Sequence, residues 1–454
     1  MPSRIYHPDL YRFANPPRHY WRLAAGTSVG TPALPLAADL DVDVAVIGAG
    51  YAGLSAALRL AGRHGVSVAV LDAAATIGWG ASGMNGGFVS MGGVKLELAE
   101  LVARVGEAET RRYWTSQIDA VEALRGLIET NAIACEPTGD GNFCVAHHPK
   151  AAEGLRAEVE ALTRRFGVAA DYVEAGRFRA EIHDGPETFG ALRLRPSFGM
   201  QPSLLVDGMA RAAARAGARL HVGAEVVAWR REAGRHRLIT AAGASVRAGR
   251  VIVATNGYAA NGLEPRLDYR AMPAVSSIVV TQPWSPATHA ARGFHSLAPI
   301  YNSRHLLSYY RRLPDGRILF GMRGDTSGSD GAQDAQAERT VKALRRALPA
   351  YADAEIAHAW RGLVCLTGRF TLSLGLLPDE PSVAFAFGCH GSGTATMTWA
   401  GSRAADLVMG AAREDDIPAL LRGLAPRLPP NRLALRLGLK AAYGLYRVKD
   451  ALGL

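Results

Sequence analysis

Apolar and polar positions alternate along this chain in two periods, one typical of helices and one typical of strands. The clearest pattern covers residues 41–72, where an apolar run, DVAVIG, precedes a glycine turn, an alanine-rich stretch and a second apolar run, VSVAVLD. This order predicts a βαβ unit. Helical spacing predicts amphipathic helices over 97–131 and 151–166, and another through LLVDGMARAAARAG that Ser203 can cap. Residues 272–323 alternate strand-like runs with short turns, which predicts a large antiparallel sheet.

The order of these elements predicts an α/β protein of two interleaved domains, because nucleotide-type elements near both ends bracket sheet-rich material. A chain of 454 residues is also too long for one simple core. We expect an N-terminal arm over residues 1–39 and a C-terminal basic amphipathic helix within residues 426–454. The expected segments are 40–92, 196–262 and 360–425 for the nucleotide-binding domain, and 93–195 and 263–359 for a second, α+β domain.

Composition narrows the class of protein. Apolar residues make up 48% and charged residues 20%, as in ordinary globular proteins. The net charge of +10 does not predict a nucleic-acid partner, because the arginines are scattered between acids without an aromatic and basic array. The four cysteines show no CxxC spacing, which favours free thiols in a reducing compartment. The first thirty residues lack an apolar signal core, and the apolar run from Val44 to Leu58 is too short to span a bilayer, so we expect a cytoplasmic protein.

A glycine motif follows the first predicted strand. Gly48, Gly50 and Gly53 form GxGxxG between a strand and a helix, where they permit a tight turn, close approach of a pyrophosphate and close packing of helix on strand. Asp72 ends the second strand, where it can accept hydrogen bonds from ribose hydroxyls. This acid disfavours NADP but leaves NAD and FAD open. The predicted contacts in this unit also include Ala49, Tyr51, Ala52 and Ala73.

The next segment, IGWGASGMNGGF at residues 77–88, favours FAD. Its small residues let backbone lie against a large planar ligand, and Ser82 and Asn85 supply hydrogen-bonding groups. An NAD domain would normally continue into further βαβ units here. The predicted cofactor contacts in this loop are Gly80, Ala81, Ser82, Asn85, Gly86 and Gly87.

The stretches DVDVAVIGAGYAGLSAALRLA, VAVLDA and IGWGASGMNGGFV together resemble the D-amino-acid-oxidase-like family of FAD-dependent oxidoreductases, in particular its γ-glutamylputrescine oxidoreductase and glycine/sarcosine oxidase branches. The resemblance covers about residues 30–425. It implies a Rossmann-like FAD-binding domain of the glutathione-reductase type, interleaved with an α+β substrate domain built on a large antiparallel sheet. It also implies cofactor contacts at Val226, at Thr255 and in the turn formed by Gly391, Ser392, Gly393 and Thr394.

Three positions depart from the family pattern. Met84 stands where relatives often carry arginine, and Arg369 stands where relatives carry the aspartate of a Thr-Pro-Asp triad. Relatives with covalent flavin carry a cysteine five positions before that triad, a register that holds Gly362 in this chain. The comparison therefore predicts that FAD is bound non-covalently.

The resemblance implies oxidation of a C–N bond in an amine or amino acid. Hydride would pass to the flavin N5, the resulting imine would hydrolyse, and oxygen or an electron carrier would reoxidise the flavin. A helix N-terminus after the turn at 391–394 would stabilise negative charge on the reduced ring. Two alternatives remain open: a flavin dehydrogenase of a C–O substrate, such as a 2-hydroxy acid or glycerol phosphate, and a non-catalytic flavoprotein that serves assembly or binding.

Candidate substrate residues come from several segments. His390 could act as a base or a hydrogen-bond donor near the ring. His305 and Tyr309 lie in the expected substrate floor, where Tyr309 and Tyr310 must point to opposite faces. Arg323 and Arg369 are candidates for binding a substrate carboxylate. No metal-ligand cluster stands out, and we expect the adjacent pair His147 and His148 at the surface.

The C-terminal segment predicts a helix with a basic stripe of Arg432, Arg436, Lys440 and Arg447 and with leucines and tyrosines opposite. We expect this helix to pack on its own subunit. The alternative is a peripheral membrane contact.

Overall fold

The computed structural model describes residues 4–15, 18–26, 30, 32–94 and 96–453. Parts of the expected N-terminal arm (1–3, 16–17, 27–29 and 31) therefore lie outside the described residues. The α-helices are α1 (Tyr20–Ala25), α2 (Tyr51–Arg59), α3 (Ala81–Met84), α4 (Leu98–Thr130), α5 (Pro149–Phe166), α6 (Ala175–Glu181), α7 (Pro202–Arg215), α8 (Pro286–Ala291), α9 (Asp330–Ala347), α10 (Gly393–Val408) and α11 (Arg432–Leu452).

The strands follow the same chain order and belong to two large sheets and one short pair. They are β1 (Leu34–Pro35), β2 (Leu40–Ile47), β3 (Val68–Leu71), β4 (Phe88–Val89), β5 (Asn142–Val145), β6 (Ala170–Val173), β7 (Ala191–Leu194), β8 (Phe198–Gly199), β9 (Arg219–Val222), β10 (Val226–Glu232), β11 (Arg235–Thr240), β12 (Ser245–Val253), β13 (Met272–Thr281), β14 (Ile300–Asn302), β15 (Tyr309–Arg312), β16 (Ile318–Arg323), β17 (Ile356–Leu366), β18 (Ser373–Leu377) and β19 (Glu380–Phe387).

The first sheet contains the predicted βαβ unit. Its strands run in the order β1-β9-β3-β2-β12-β11-β10, and β19 and β18 join beside β12. Strands β9, β3, β2, β12 and β19 pair in parallel. The second half of β2, Val44 to Ile47, is buried, as expected of a parallel strand covered on both faces.

The second sheet has the order β17-β13-β16-β15-β14-β5-β7-β6. All of its pairings are antiparallel except that of β14 with β5. The fold prediction is thus confirmed: a Rossmann-like sheet is combined with a large, mostly antiparallel sheet whose strands come from two separate stretches of the chain.

We propose that the domain division follows these two sheets. The expected boundary at residue 360 falls inside β17, which pairs with β13 from Ile356 to Leu366, and we propose a later one. Strand pairing cannot be divided between two domains at that point, so the boundary belongs after Leu366.

The predicted cap of α7 is also wrong. The helix begins with Pro202, and the side chain of Gln201 accepts the hydrogen bond from the Leu204 N–H at its N-terminus. Proline suits the first helical position because it has no N–H to satisfy, which moves the cap two residues earlier than the sequence pattern suggested. The Ser203 hydroxyl instead donates to the carbonyl of Gly83, joining α7 to α3.

The C-terminal helix α11 packs on its own chain through Leu435, Leu439 and Tyr443, which are buried in a cluster with Met272 and Leu363. The helix differs from the prediction of one basic and one apolar face, because a second set of apolar side chains points outward. These exposed residues are Leu433, Leu437, Leu445, Val448 and Leu452. No helix in the described part of the chain is both long and apolar enough to cross a bilayer.

Candidate active site

A cavity of about 970 Å³ runs between the loops of the first sheet and one face of the second sheet. Its volume is at the upper end for ligand pockets. Most of the predicted cofactor residues line it. They are Gly48, Ala49, Gly50, Tyr51, Ala52, Asp72, Ala73, Gly80, Ala81, Ser82, Asn85, Gly86, Val226, Thr255, Gly391, Ser392, Gly393 and Thr394. Gly53 and Gly87 are not part of the lining.

The GxGxxG turn has the geometry that the sequence predicts. Gly50 precedes the first turn of α2, so the N-terminus of that helix faces the cavity. A Cβ on Gly53 would lie 1.8 Å from the carbonyl oxygen of Gly48, so any side chain there would break the packing of helix on strand. Gly53 therefore shapes the turn from behind, and we expect the cofactor contacts to come from its neighbours.

Asp72 is turned toward the glycine motif. Its carboxylate accepts hydrogen bonds from the backbone N–H groups of Ala49, at 2.7 Å, and Ala74, at 2.9 Å. Burial raises its pKa, and these two hydrogen bonds oppose that shift. A carboxylate has about four lone-pair sites, so Asp72 can fix the turn and still accept from a ribose hydroxyl.

The loop at residues 77–88 is held mainly by its own polar side chains. The Ser82 hydroxyl accepts from the Tyr51 N–H at 3.0 Å. The Asn85 amide donates to the Tyr51 hydroxyl and to two loop carbonyls, while its oxygen accepts from the Gly87 N–H. The hydrogen bonds of Asn85 thus stabilise the loop, whereas Ser82 keeps its hydroxyl proton for a ligand. Met84 is buried against Ile278 and Trp360 and also reaches the cavity.

Arg311 is the residue that sequence reasoning missed in this region. It is 1% exposed, and its guanidinium donates to the carbonyls of Gly87 and Met200 and to the Thr138 hydroxyl. Burial lowers its pKa to about 10, so it stays charged at neutral pH. The alternation of side chains along a strand was a weak indication that Arg311 belongs to this region. Arg311 lies two residues after Tyr309 and therefore on the same face of the strand.

The second glycine turn leads into α10. Gly388, His390 and Gly391 have positive φ angles, and α10 begins at Gly393. The N-terminus of this sixteen-residue helix faces the cavity through Gly393 and Thr394. Such an N-terminus carries partial positive charge and suits an anionic group.

His390 is buried in this turn and contacts Thr367. Its Nε2 lies 3.2 Å from both the Thr367 N–H nitrogen and the Thr367 hydroxyl oxygen. Since the backbone N–H can only donate, Nε2 is an acceptor, and the neutral ring carries its proton on Nδ1. This geometry makes the ring a structural link between the turn and the end of β17.

The face of the second sheet that lines the cavity carries Tyr309 and Arg323. The Tyr309 hydroxyl lies 2.9 Å from the Ser276 hydroxyl, and burial raises the tyrosine pKa. Its ring lies against Gly86, where a Cβ would approach to 2.9 Å. Tyr310 points to the opposite face and is buried in a separate core cluster, as strand alternation predicted. The sequence did not predict the contact between Tyr309 and Ser276. Ser276 lies on β13, and β16 separates that strand from β15, which carries Tyr309.

His305 and Arg369 lie apart from Tyr309. His305 lies at the rim of the cavity, stacked on Tyr446 of α11, and its Nδ1 is 3.1 Å from the carboxylate of Asp450. Arg369 is outside the cavity lining and donates to the carbonyls of Leu372, Leu421 and Arg422. Its guanidinium therefore joins backbone segments, and its position does not favour the expected contact with a substrate carboxylate.

The histidine pair at 147–148 also differs from expectation. His147 is buried, and its Nε2 donates to the backbone carbonyl of Asp450 at 3.0 Å. Together with His305 it anchors the end of α11 at the cavity rim. The surface assignment of His147 was wrong because α11 covers it.

The cavity fits a dinucleotide in shape and in chemistry. The N-termini of α2 and α10 both end at it, one beside a glycine turn and the other beside the face that carries Tyr309. A Cβ on Gly50 would lie 2.8 Å from the Ser82 hydroxyl oxygen, so the residue leaves room that a side chain would fill. Within the described ranges, no group of three or more His, Cys, Asp or Glu side chains could hold a metal ion.

These features define a flavin-type oxidoreductase site, and sequence comparison agrees. Residues 43–407 match the family described as FAD dependent oxidoreductase, and the chain belongs to that family. It uses FAD as its cofactor, as predicted. Non-covalent attachment stays a prediction.

Two curated proteins and two solved structures show the extent of the similarity. The chain is 31% identical to the probable oxidoreductase OrdL of Rhizobium meliloti over 83% of its own length and 85% of the relative. It is 29% identical to the gamma-glutamylputrescine oxidoreductase of Escherichia coli over 95% of its own length and 98% of the relative. The glycine oxidase of Geobacillus kaustophilus superposes with a TM-score of 0.71 at 20% identity, covering 86% of this chain and all of the other. The iminodiacetate oxidase of Chelativorans sp. BNC1 gives 0.67 at 21% identity, covering 84% and 100%. The structural matches confirm the fold.

Proposed function

We propose that this FAD-dependent oxidoreductase oxidises a C–N bond of an amino acid or related amine whose carboxylate is bound by Arg323, with Tyr309 beside it. The most direct support comes from the position and the hydrogen bonding of the Arg323 guanidinium. The guanidinium lines the cavity and, among the residues that the structure describes, forms no hydrogen bond or ion pair with protein. A partly buried guanidinium favours an anionic partner, and a carboxylate matches its planar fork.

The surroundings of Arg323 support the same orientation of substrate. Its Nη2 lies 3.7 Å from the position of a Cβ on Gly391, which places the guanidinium beside the turn that precedes α10. A carboxylate bound there would hold the neighbouring C–N bond against the cofactor side of the cavity. Bound FAD supplies the two-electron acceptor for that bond. The apolar part of the cavity also lowers the pKa of a bound amine, which favours the neutral form needed for oxidation.

The test is anaerobic reduction of the purified holoenzyme, followed by flavin absorbance, with a panel of amino acids, primary amines and 2-hydroxy acids. We expect bleaching by amino-group substrates and at least tenfold slower bleaching by the matched hydroxy acids. Bleaching by hydroxy acids alone would assign the enzyme to C–O substrates. No bleaching by any compound would favour a non-catalytic role.

We also propose that the outward face of α11 binds an anionic membrane surface. This face is defined as Leu433, Leu437, Leu445, Val448 and Leu452, and each of these residues is 54–65% exposed. Four exposed cations flank it, whereas the one acid of the helix, Asp450, is buried against the loop at 305–306. The exposed cations are Arg432, Lys440, Arg447 and Lys449. An apolar face flanked by basic residues is typical of helices that lie in a bilayer interface.

The position of α11 connects this contact with the site. Its last turn is anchored at the cavity rim by His147 and His305. A membrane bound along α11 would therefore lie close to the cavity, which favours a membrane-borne electron carrier over oxygen as the acceptor.

Replacing Leu437 and Leu445 together with glutamate is expected to lower the fraction that sediments with phosphatidylglycerol vesicles by roughly tenfold, because the helix loses apolar contact and gains repulsion. The matched control is the Leu23→Glu, Leu34→Glu double variant, which changes two exposed leucines elsewhere and should bind as the wild type does. Equal binding of the wild type to phosphatidylcholine vesicles, or no binding to either, would contradict the proposal. Self-association in place of vesicle binding would assign the face to a second copy of the chain.

A further inference from the structure

A carboxyl group that the proposed chemistry does not use faces the same cavity. Glu158 of α5 is partly buried, lines the cavity and, within the described ranges, forms no hydrogen bond or ion pair. Burial and the neighbouring carboxylate of Glu97 raise its pKa to about 7. These surroundings destabilise the ionised form of the carboxyl group until a cation binds near it.

Among the residues that the structure describes, the nearby cations do not fill this role. Arg165 pairs with Glu107, and Arg304 pairs with Glu187 at 2.6 Å. Lys150 lies eight residues before Glu158 on the same helix, which is about 12 Å of helical rise. The position facing Glu158 is thus open to a cation from a ligand.

A second unsatisfied polar group lies on the sheet face below. Asn142 at the start of β5 is 0% exposed and lines the cavity. Its amide nitrogen donates to the Ser90 hydroxyl at 2.6 Å, while its amide oxygen has no hydrogen-bond partner among the described residues. A buried acceptor without a donor is costly, which points to a donor supplied by a ligand.

Strand register relates this region to Arg323. Tyr309 of β15 pairs with Tyr301 of β14, and Tyr301 pairs with Cys144 of β5. The pKa of Tyr301 is raised by burial, by Cys144 and by Glu158, and Tyr301, Cys144 and Glu158 line the same cavity, which places Glu158 on the β14 and β5 side of it. Arg323 on β16 is two to three strands away, or roughly 10–14 Å at 4.8 Å per strand. One extended ligand can bridge that distance.

We propose that Glu158, together with the Asn142 amide oxygen, binds a second cationic nitrogen of the substrate, so that the preferred substrates are diamino acids rather than simple amino acids. The carboxylate would lie at Arg323, the distal ammonium at Glu158, and the oxidised C–N bond between them. This substrate class rests on the proposed function. Each charged end of the ligand would then contact a protein group of opposite charge. An amino acid with an uncharged side chain would lack the contact with Glu158.

The experiment compares isosteric pairs in anaerobic single-turnover reduction of the holoenzyme. The probes are both enantiomers of ornithine and lysine, each against norleucine or 2-aminoheptanoate, where methyl replaces the distal ammonium. We expect the diamino acid to bind at least tenfold more tightly. Glu158→Gln should weaken binding of the diamino acid by roughly 10- to 30-fold while leaving its limiting reduction rate within twofold, and should leave the neutral isostere unchanged.

Glu153→Gln is the matched control, because Glu153 is exposed on the same helix and is not part of the cavity lining. It should change neither binding constant. Equal binding of ornithine and norleucine by the wild type, or an equal effect of Glu158→Gln on both, would overturn the inference while leaving amine oxidation intact. Reduction by hydroxy acids and by none of the amines would instead overturn the proposed function, and this inference with it.

Discussion

Replacing Arg323 with methionine is expected to lower kcat/KM for a carboxylate-bearing amine by roughly 100-fold, or about 2.8 kcal/mol at 1.4 kcal/mol per factor of ten. The physical reason is the loss of a charge-assisted, two-point contact in a cavity that excludes much of the solvent. The guanidinium lies at the cavity face and, in the described part of the chain, no acid neutralises it. A substrate carboxylate would otherwise supply that charge.

Three comparisons separate this role from general damage to the fold. Arg323→Lys keeps the charge but loses the planar fork, so its activity should lie between the two. Arg345→Met removes an exposed arginine of α9 and should leave kcat/KM unchanged. An amine without a carboxylate should be oxidised by Arg323→Met almost as well as by the wild type. A uniform loss for both kinds of amine would show that Arg323 does not act on the carboxylate.

The parts of the site that the sequence predicts best are those set by local geometry. The GxGxxG turn, the following helix and Asp72 belong to one βαβ unit of about thirty residues, so spacing alone places them together. The turn before α10 is similar, since a strand, a glycine cluster and an apolar helix follow one another directly. In both segments the residues expected to contact the cofactor, apart from Gly53, line the cavity.

Residues that depend on long-range packing were predicted less well. Arg369 has the chemistry of a carboxylate ligand, but the chain near Leu421 folds over it and takes up its hydrogen bonds. His305 was expected in the substrate floor, but α11, about 140 residues later, returns to hold it at the rim. In each case, residue type indicated a hydrogen-bonding capacity, and only the tertiary structure determined the partner.

Arg311→Leu is expected to lower the free energy of unfolding by about 3 kcal/mol and to weaken retention of FAD. The substitution removes three hydrogen bonds that a charged donor makes. The carbonyls of Gly87 and Met200 and the hydroxyl of Thr138 then lose this donor. Gly87 belongs to the loop at 77–88, which lines the cavity on its other side. Loss of the guanidinium therefore loosens the segment expected to lie against the flavin. Chemical denaturation and the flavin content after gel filtration measure the two effects.

The adjacent residue provides the control for this prediction. Arg312 lies on the opposite face of β15, is partly buried and donates to one backbone carbonyl, that of Phe294. Arg312→Leu should therefore cost roughly 1 kcal/mol and leave flavin content unchanged, because it removes a single hydrogen bond outside the cavity. If the two variants lost equal stability and equal flavin, the effect would reflect charge or strand propensity in β15. A loss of flavin confined to Arg311→Leu would instead show that the buried guanidinium of Arg311 helps the second sheet to hold the cofactor loop in place.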